Sequence, residues 1–238
     1  NNRFLSFLGS AGDDIKIDAS EGLIVSPPIP TKQHIKQKRR LVLFMFVDGL
    51  VDRSILGYKN LNSIMPNTAD FFNDAFDFRN HYVNSEWTLP SMASIFSGKY
   101  THNHGLFDPK KIVDIGGSYQ ILSQYFKDNN YTTFNVGGIG RISPVLGYVK
   151  GFDRTIYQNS MPVHEVISNF MEHDRIFNKR DKFVFLQFSD LHHNLSVVPD
   201  SSVMSNLSPN TLASMLDPFI QHKKSVYNAK NDDKRRIF

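Results

Sequence analysis

The residues best suited to chemistry gather in two stretches. In "SEWTLPSMASIFSGKYTHNHG" (85–105), Thr88 stands just before Leu89-Pro90, and Lys99, His102 and His104 close the segment. In the second stretch, Asp190 follows the apolar run "KFVFLQFS" and is followed in turn by His192 and His193; Asp48 ends an earlier apolar run, "LVLFMFV" (41–47). A hydroxyl at a helix entrance has two readings. It can cap the helix by accepting a backbone N–H, or it can sit in the positive end of the helix field, where an alkoxide, phosphate or sulfate is stabilised. Beside a divalent ion its pKa falls and it can attack phosphorus. A strand-end carboxylate such as Asp48 is either a turn or cap residue, or a hard oxygen ligand carried on a rigid element. Alternation along an extended segment would put His102 and His104 on one side, where with Lys99 they could contact an anion. An imidazole at 192 or 193 could reach the same cleft, or simply cap a loop.

The elements that would position these groups follow from the pattern. "RLVLFMFVDG" reads as a fully buried central strand of a parallel sheet, and "KFVFLQFSD" (182–190) as a second buried strand. Helical spacing predicts helices over 68–76, 90–98, 119–130, 163–175 and 216–229, with Pro90 in the first turn of the second and Gly98 at its end. Strands are expected at 76–83 and 131–138, with a short one at 22–25 in a breaker-rich leader (1–40) that includes "SPPIPTK" and "KQKRR". Strands alternating with helices predict an α/β fold, a mostly parallel sheet with helices on both faces. Ligands of such sheets bind beyond the carboxyl ends of the strands, where Asp48 and Asp190 should both lie.

Composition narrows the functions. The chain has 238 residues, 40% of them hydrophobic, 21% charged, and 20 are phenylalanine, which suits one sizeable globular domain rather than disorder. The net charge of +4 resides largely in "KQKRR" and "DDKRR", which flank the body instead of forming a stripe, so nucleic acid is not an expected partner. The absence of cysteine excludes disulfides, thiolate metal sites and a cysteine nucleophile, while leaving the compartment open. The longest apolar run is too short to span a bilayer, so membrane association would have to come from segments outside this chain. No signal peptide is visible, and the start at Asn-Asn-Arg leads us to expect a fragment.

Taken in order, "VDGL", "MPNTADFFNDAFDFRNHYV", "TLPSMASIFSGKYTHNHG", "YTTFNVGG", "GFD" and "FVFLQFSDLHHN" resemble the sulfatase branch of the alkaline-phosphatase superfamily over residues 41 to about 230. The resemblance implies a three-layer α/β sandwich, here incomplete at its carboxyl end, with 41–238 a partial catalytic domain, while the breaker-rich 1–40 reads as a linker or the tail of a preceding segment. It implies a metal-dependent hydrolase or transferase acting on a phosphorylated or sulfated small molecule, lipid or glycan. Asp48 matches the first metal-binding aspartate, and Thr88 the nucleophile that also ligates metal. His192, or His193 beside it, matches the histidine on the ester's anionic oxygens. Lys99 and His104 fall in the tail of the motif, as loop support or substrate contacts. The ion would be calcium, magnesium, manganese or zinc.

The departures redirect the chemistry. Sulfatases carry Cys or Ser at the nucleophile position, oxidised to a formylglycine, with an arginine four residues on; here these are Thr88 and Met92. A threonine cannot yield that aldehyde, whose collapse expels sulfate, and threonine nucleophiles in the superfamily belong to phosphodiesterases, phosphomutases and phosphotransferases. Gly138 and Gly140 replace the family's anion-binding lysine and histidine, leaving Arg141 to restore part of the charge. The remaining metal ligands are expected beyond Phe238, so this chain alone is expected to be weakly active or inactive. The leading expectation is therefore a threonine-based phosphoesterase or phosphotransferase. The alternatives are a sulfuric-ester hydrolase, or a degenerate domain that binds an anionic glycan or a protein. The oligomeric state stays open, and pairing with another chain could cover the open sheet edge.

Overall fold

The computed structural model describes residues 9–10, 12–20, 28, 39–50, 61–63, 65–76, 78, 80–108 and 114–192. The expected strand at 22–25, His193, the loop at 196–210 and the expected helix at 216–229 lie outside the described residues.

Four parallel strands form one sheet in the order β1 (Leu41–Val47), β4 (Lys182–Phe188), β2 (Thr132–Gly137), β3 (Arg154–Tyr157). The helices are α1 (Pro66–Phe71), α2 (Thr88–Ser97), α3 (Thr101–His104), α4 (Ile115–Ser118), α5 (Leu122–Asp128) and α6 (Val163–Ile176). The chain thus adopts the expected α/β class, with helices on both faces.

Like β2, strand β4 lies inside the sheet. All seven of its residues are buried, and its side chains alternate between two cores, as strand geometry requires. Phe183 and Phe185 point to the face covered by Leu89, Met92, Ala93 and Phe96 of α2, with Leu122 and Phe126 of α5 alongside. Val184 and Leu186 point to the opposite face, against Val166, Ile167 and Phe170 of α6. The rings of Phe96 and Phe185 meet edge to face at 5.0 Å, which fixes α2 on the sheet. The crossing from β1 to β2 carries α2 and α5, whereas the return from β3 to β4 carries α6. Moves in opposite directions thus use opposite faces, as right-handed crossovers demand.

Three expectations are corrected. β1 is an edge strand among the described residues, pairing only with β4, and its Leu41, Leu43 and Met45 are 48%, 36% and 44% exposed. Its uninterrupted apolar run could not reveal that one face would stay partly exposed, with no strand beyond it among the described residues. The expected strand at 76–83 does not form among the described residues; Phe76, Phe78 and Tyr82 lie exposed, without a neighbouring strand to pair with. The His102–His104 segment is a helical turn instead of an extended one, so its two imidazoles part company. β3 escaped the sequence reading because four residues, "RTIY", carry too short a pattern.

Candidate active site

The carboxyl ends of β1, β4 and β2 converge on one edge, and the entrance of α2 lies against them. Asp48 extends the β1–β4 ladder by one residue, its N–H donating to the Phe188 carbonyl at 2.9 Å. This continuation holds the carboxylate on rigid backbone. Gly49 follows at φ +84°, where a Cβ would stand 2.5 Å from the Leu191 carbonyl oxygen and 2.9 Å from the His192 nitrogen. Only glycine combines that backbone angle with that close approach. The turns after β1 and β4 are therefore packed back to back, and the second is closed by the His192 N–H donating to Ser189 O at 2.9 Å.

Thr88 is not a helix cap. The capping position belongs to Trp87, which is extended at φ −146° and ψ 165° and offers no side-chain acceptor. Thr88 is the first helical residue, and its hydroxyl donates to both oxygens of Asp48, at 3.3 and 3.4 Å. His192 Nε2 lies 3.9 Å from Asp48 Oδ2, a carboxylate only 14% exposed. Thr88, Asp48 and His192 are the expected residues that the fold brings together.

Others are placed elsewhere. Asp190 sits at the same sheet edge but accepts the Val163 N–H at 3.1 Å, capping α6, whose Pro162 has no acceptor side chain. His104 is 5% exposed. Its Nδ1 accepts the Leu106 N–H at 3.0 Å, so the proton is on Nε2, which donates to Ser94 Oγ at 3.1 Å. Burial lowers its pKa. Both nitrogens are engaged within the fold, and the ring braces α3 against α2 instead of meeting the Asp48 carboxylate. Lys99 lies past the far end of α2, about 15 Å of helix rise from Thr88, with Nζ 5.9 Å from the centre of the Tyr119 ring. His102 is exposed and stacks on Tyr100 at 6.0 Å.

Some structural partners were missed in the sequence. Ser91 Oγ donates to the Ser85 carbonyl at 2.8 Å, and Ser85 Oγ is 2.8 Å from Thr101 Oγ1. Together with Ser94 they tie the loop before α2 to the loop after it. Their place inside the motif was visible; their partners, distant in sequence, were not. Met92 is fully buried in the α2 core, so its position lends the site no charge. Arg141 is exposed in a short 3-10 turn (Gly140–Ile142), its guanidinium carbon 5.5 Å from the centre of the Trp87 ring.

Among the described residues no three carboxylate or imidazole groups converge on one point. The Asp48 carboxylate and the Thr88 hydroxyl, with His192 beside them, are oxygen donors of a kind that could serve a hard divalent ion. Among the described residues no helix is long and apolar enough to cross a membrane.

Comparison with solved structures finds the same architecture. BT4656, in complex with its substrate D-glucosamine-2-N,6-O-disulfate, aligns with a TM-score of 0.54 at 20% identity, over 66% of this chain and 35% of its own. The integral membrane lipooligosaccharide phosphoethanolamine transferase A (EptA) of Neisseria meningitidis aligns with a TM-score of 0.51 at 13% identity, over 75% and 33%. At these identities the likeness is one of fold, and the chain spans about a third of the length of these structures. No curated protein matches the chain. The sequence pattern of the sulfatase family matches residues 40–186, more than half of the chain, a range that takes in Asp48, Gly49, Thr88 and Arg141. On the strength of that match and the shared fold, the chain belongs to the sulfatase family.

Proposed function

We propose that the protein is a metal-dependent phosphoesterase or phosphotransferase that uses Thr88 as its nucleophile on a phosphodiester carried by a small molecule, lipid or glycan. The observation that carries this reading is the Thr88 hydroxyl at the entrance of α2, hydrogen-bonded at 3.3 and 3.4 Å to the Asp48 carboxylate. Asp48 and Thr88 would hold the divalent ion, which when bound supplies positive charge that eases deprotonation of the hydroxyl and offsets charge on the ester oxygens. Thr88 Oγ, oriented by its hydrogen bond to Asp48, attacks phosphorus as its proton passes to solvent. The Oγ–P bond forms as the bond to the departing alkoxide breaks, and the alkoxide takes up a proton from solvent. Water or an acceptor alcohol then attacks the phosphothreonine, releasing the phosphoryl group and restoring the hydroxyl. His192, beside the same carboxylate, contacts the anionic oxygens of the ester.

Trapping of a phosphoenzyme on the full-length protein tests the assignment. Thr88→Ala should abolish both the trapped species and metal-dependent turnover, by at least about a hundredfold given what a lost nucleophile costs. Unchanged turnover in that variant would reject Thr88 as nucleophile. A sulfuric-ester reading draws support from BT4656, whose substrate is a sulfated glucosamine. Parallel assays on aryl sulfate and aryl phosphodiester separate the two, and we expect the phosphodiester to be the better substrate.

A further inference from the structure

Trp87 is the single tryptophan of the chain, and core packing does not account for it. It occupies the capping position of α2 without a capping bond, directly before Thr88, and stays 37% exposed. What it carries is Arg141, whose guanidinium lies over the ring at 5.5 Å, within cation–π range. Among the described residues no carboxylate pairs with this guanidinium.

The surrounding loop sharpens the point. No other basic side chain lies between Gly137 and Tyr148. Gly138 admits no side chain, because a Cβ there would overlap the Gln158 carbonyl oxygen and stand 2.5 Å from the Met161 nitrogen. A lysine could not be restored at that position without moving the turn after β3. Within this loop Arg141 is therefore the side chain that can carry positive charge.

We infer that Trp87 is a positioning residue that holds Arg141 as an anion clamp for the ester group presented to Thr88. The choice of ligand rests on the phosphoryl-transfer reading above. A free arginine loses much rotamer freedom when it is ordered by a ligand. Holding it over a ring by cation–π attraction removes part of that loss beforehand, and a guanidinium so held can still offer N–H groups to two oxygens. One fixed cation matches a transferred group that bears one negative charge, as a phosphodiester does.

Calorimetric titration of inorganic phosphate into the metal-loaded full-length protein reads the clamp without turnover. Arg141→Gln should weaken binding about tenfold or more. Trp87→Leu should weaken it roughly three- to fivefold, Trp87→Phe should recover most of the loss, and Trp87→Leu should add nothing once Arg141→Gln is present. With an aryl phosphodiester the loss in Trp87→Leu should appear in KM, with kcat nearly unchanged. Equal losses from Trp87→Leu with and without Arg141, or Trp87→Leu binding as tightly as the parent, overturns the inference. If Thr88→Ala keeps its turnover while the coupling between Trp87 and Arg141 persists, the nucleophile assignment falls and the clamp stands.

Discussion

A threonine hydroxyl is a weak nucleophile at its own pKa, so the role proposed for Thr88 depends on what surrounds it. Its contact with Asp48 answers one half of that need by orienting the oxygen; the charge that would complete it is proposed to come from a bound ion and Arg141. The histidines show how differently one residue type can be used. His192 is 42% exposed beside the carboxylate, whereas His104 and His173 are buried, and burial lowers the pKa of both. In His173, Nδ1–H donates to the Asn169 carbonyl at 2.8 Å, and the ring lies against Phe134 at 5.3 Å. A histidine depressed in the folded state binds its proton more readily when unfolded. Its contribution is fully present above the unfolded value near 6.5 and is lost as pH falls through the folded value. Stability measured by urea unfolding should accordingly decline below about pH 6.5, by up to about 1.4 kcal/mol per pH unit for each such group. His173→Phe should flatten part of that slope; an unaltered slope would mean that His173 titrates alike in both states.

At the scale of elements, the site depends on contact between two turns that belong to different strands. β1 and β4 are adjacent and in register from Leu41 with Lys182 to Val47 with Phe188. Their following turns are thereby delivered to the same height, and Gly49 lets them touch. Gly49→Ala would force a side chain into the left-handed region and against the Leu191 carbonyl. It should lower the unfolding free energy by roughly 2 kcal/mol or more, measured by the shift of the urea midpoint. An unshifted midpoint would show that the turns have room between them. The signal for this element was present in "VDGL", but the sequence could not say what the glycine makes way for, because Leu191 and His192 lie far along the chain. The same limit applied to Trp87, whose partner Arg141 is distant in sequence, and to the serine ties around α2.

At the scale of the molecule, the two faces of the sheet are unequally covered. Met45 and Leu186 are cross-strand partners on the same face. Leu186 is fully buried under α6, while Met45 is 44% exposed. Truncation should reveal the difference in urea unfolding of the 238-residue chain. Leu186→Ala should cost about 2–5 kcal/mol through transfer and cavity terms, and Met45→Ala about 1 kcal/mol or less, since its side chain keeps much of its contact with water. Equal costs would show that the β1 face is covered in solution.

The sequence by itself determined the α/β class, the two aspartate-ended strands, the α2 entrance with Thr88 and the resemblance to the sulfatase family. These features are written locally, in apolar runs, turn residues and a compact motif. The tertiary structure alone decided that, among the described residues, β4 is an interior strand and β1 an edge, because burial depends on neighbours that a run of apolar letters does not name. It alone separated Asp48 from Asp190, turned His104 into a brace and set Arg141 over Trp87. Each of those outcomes is a contact between residues remote along the chain, and such contacts exist only once the sheet has assembled.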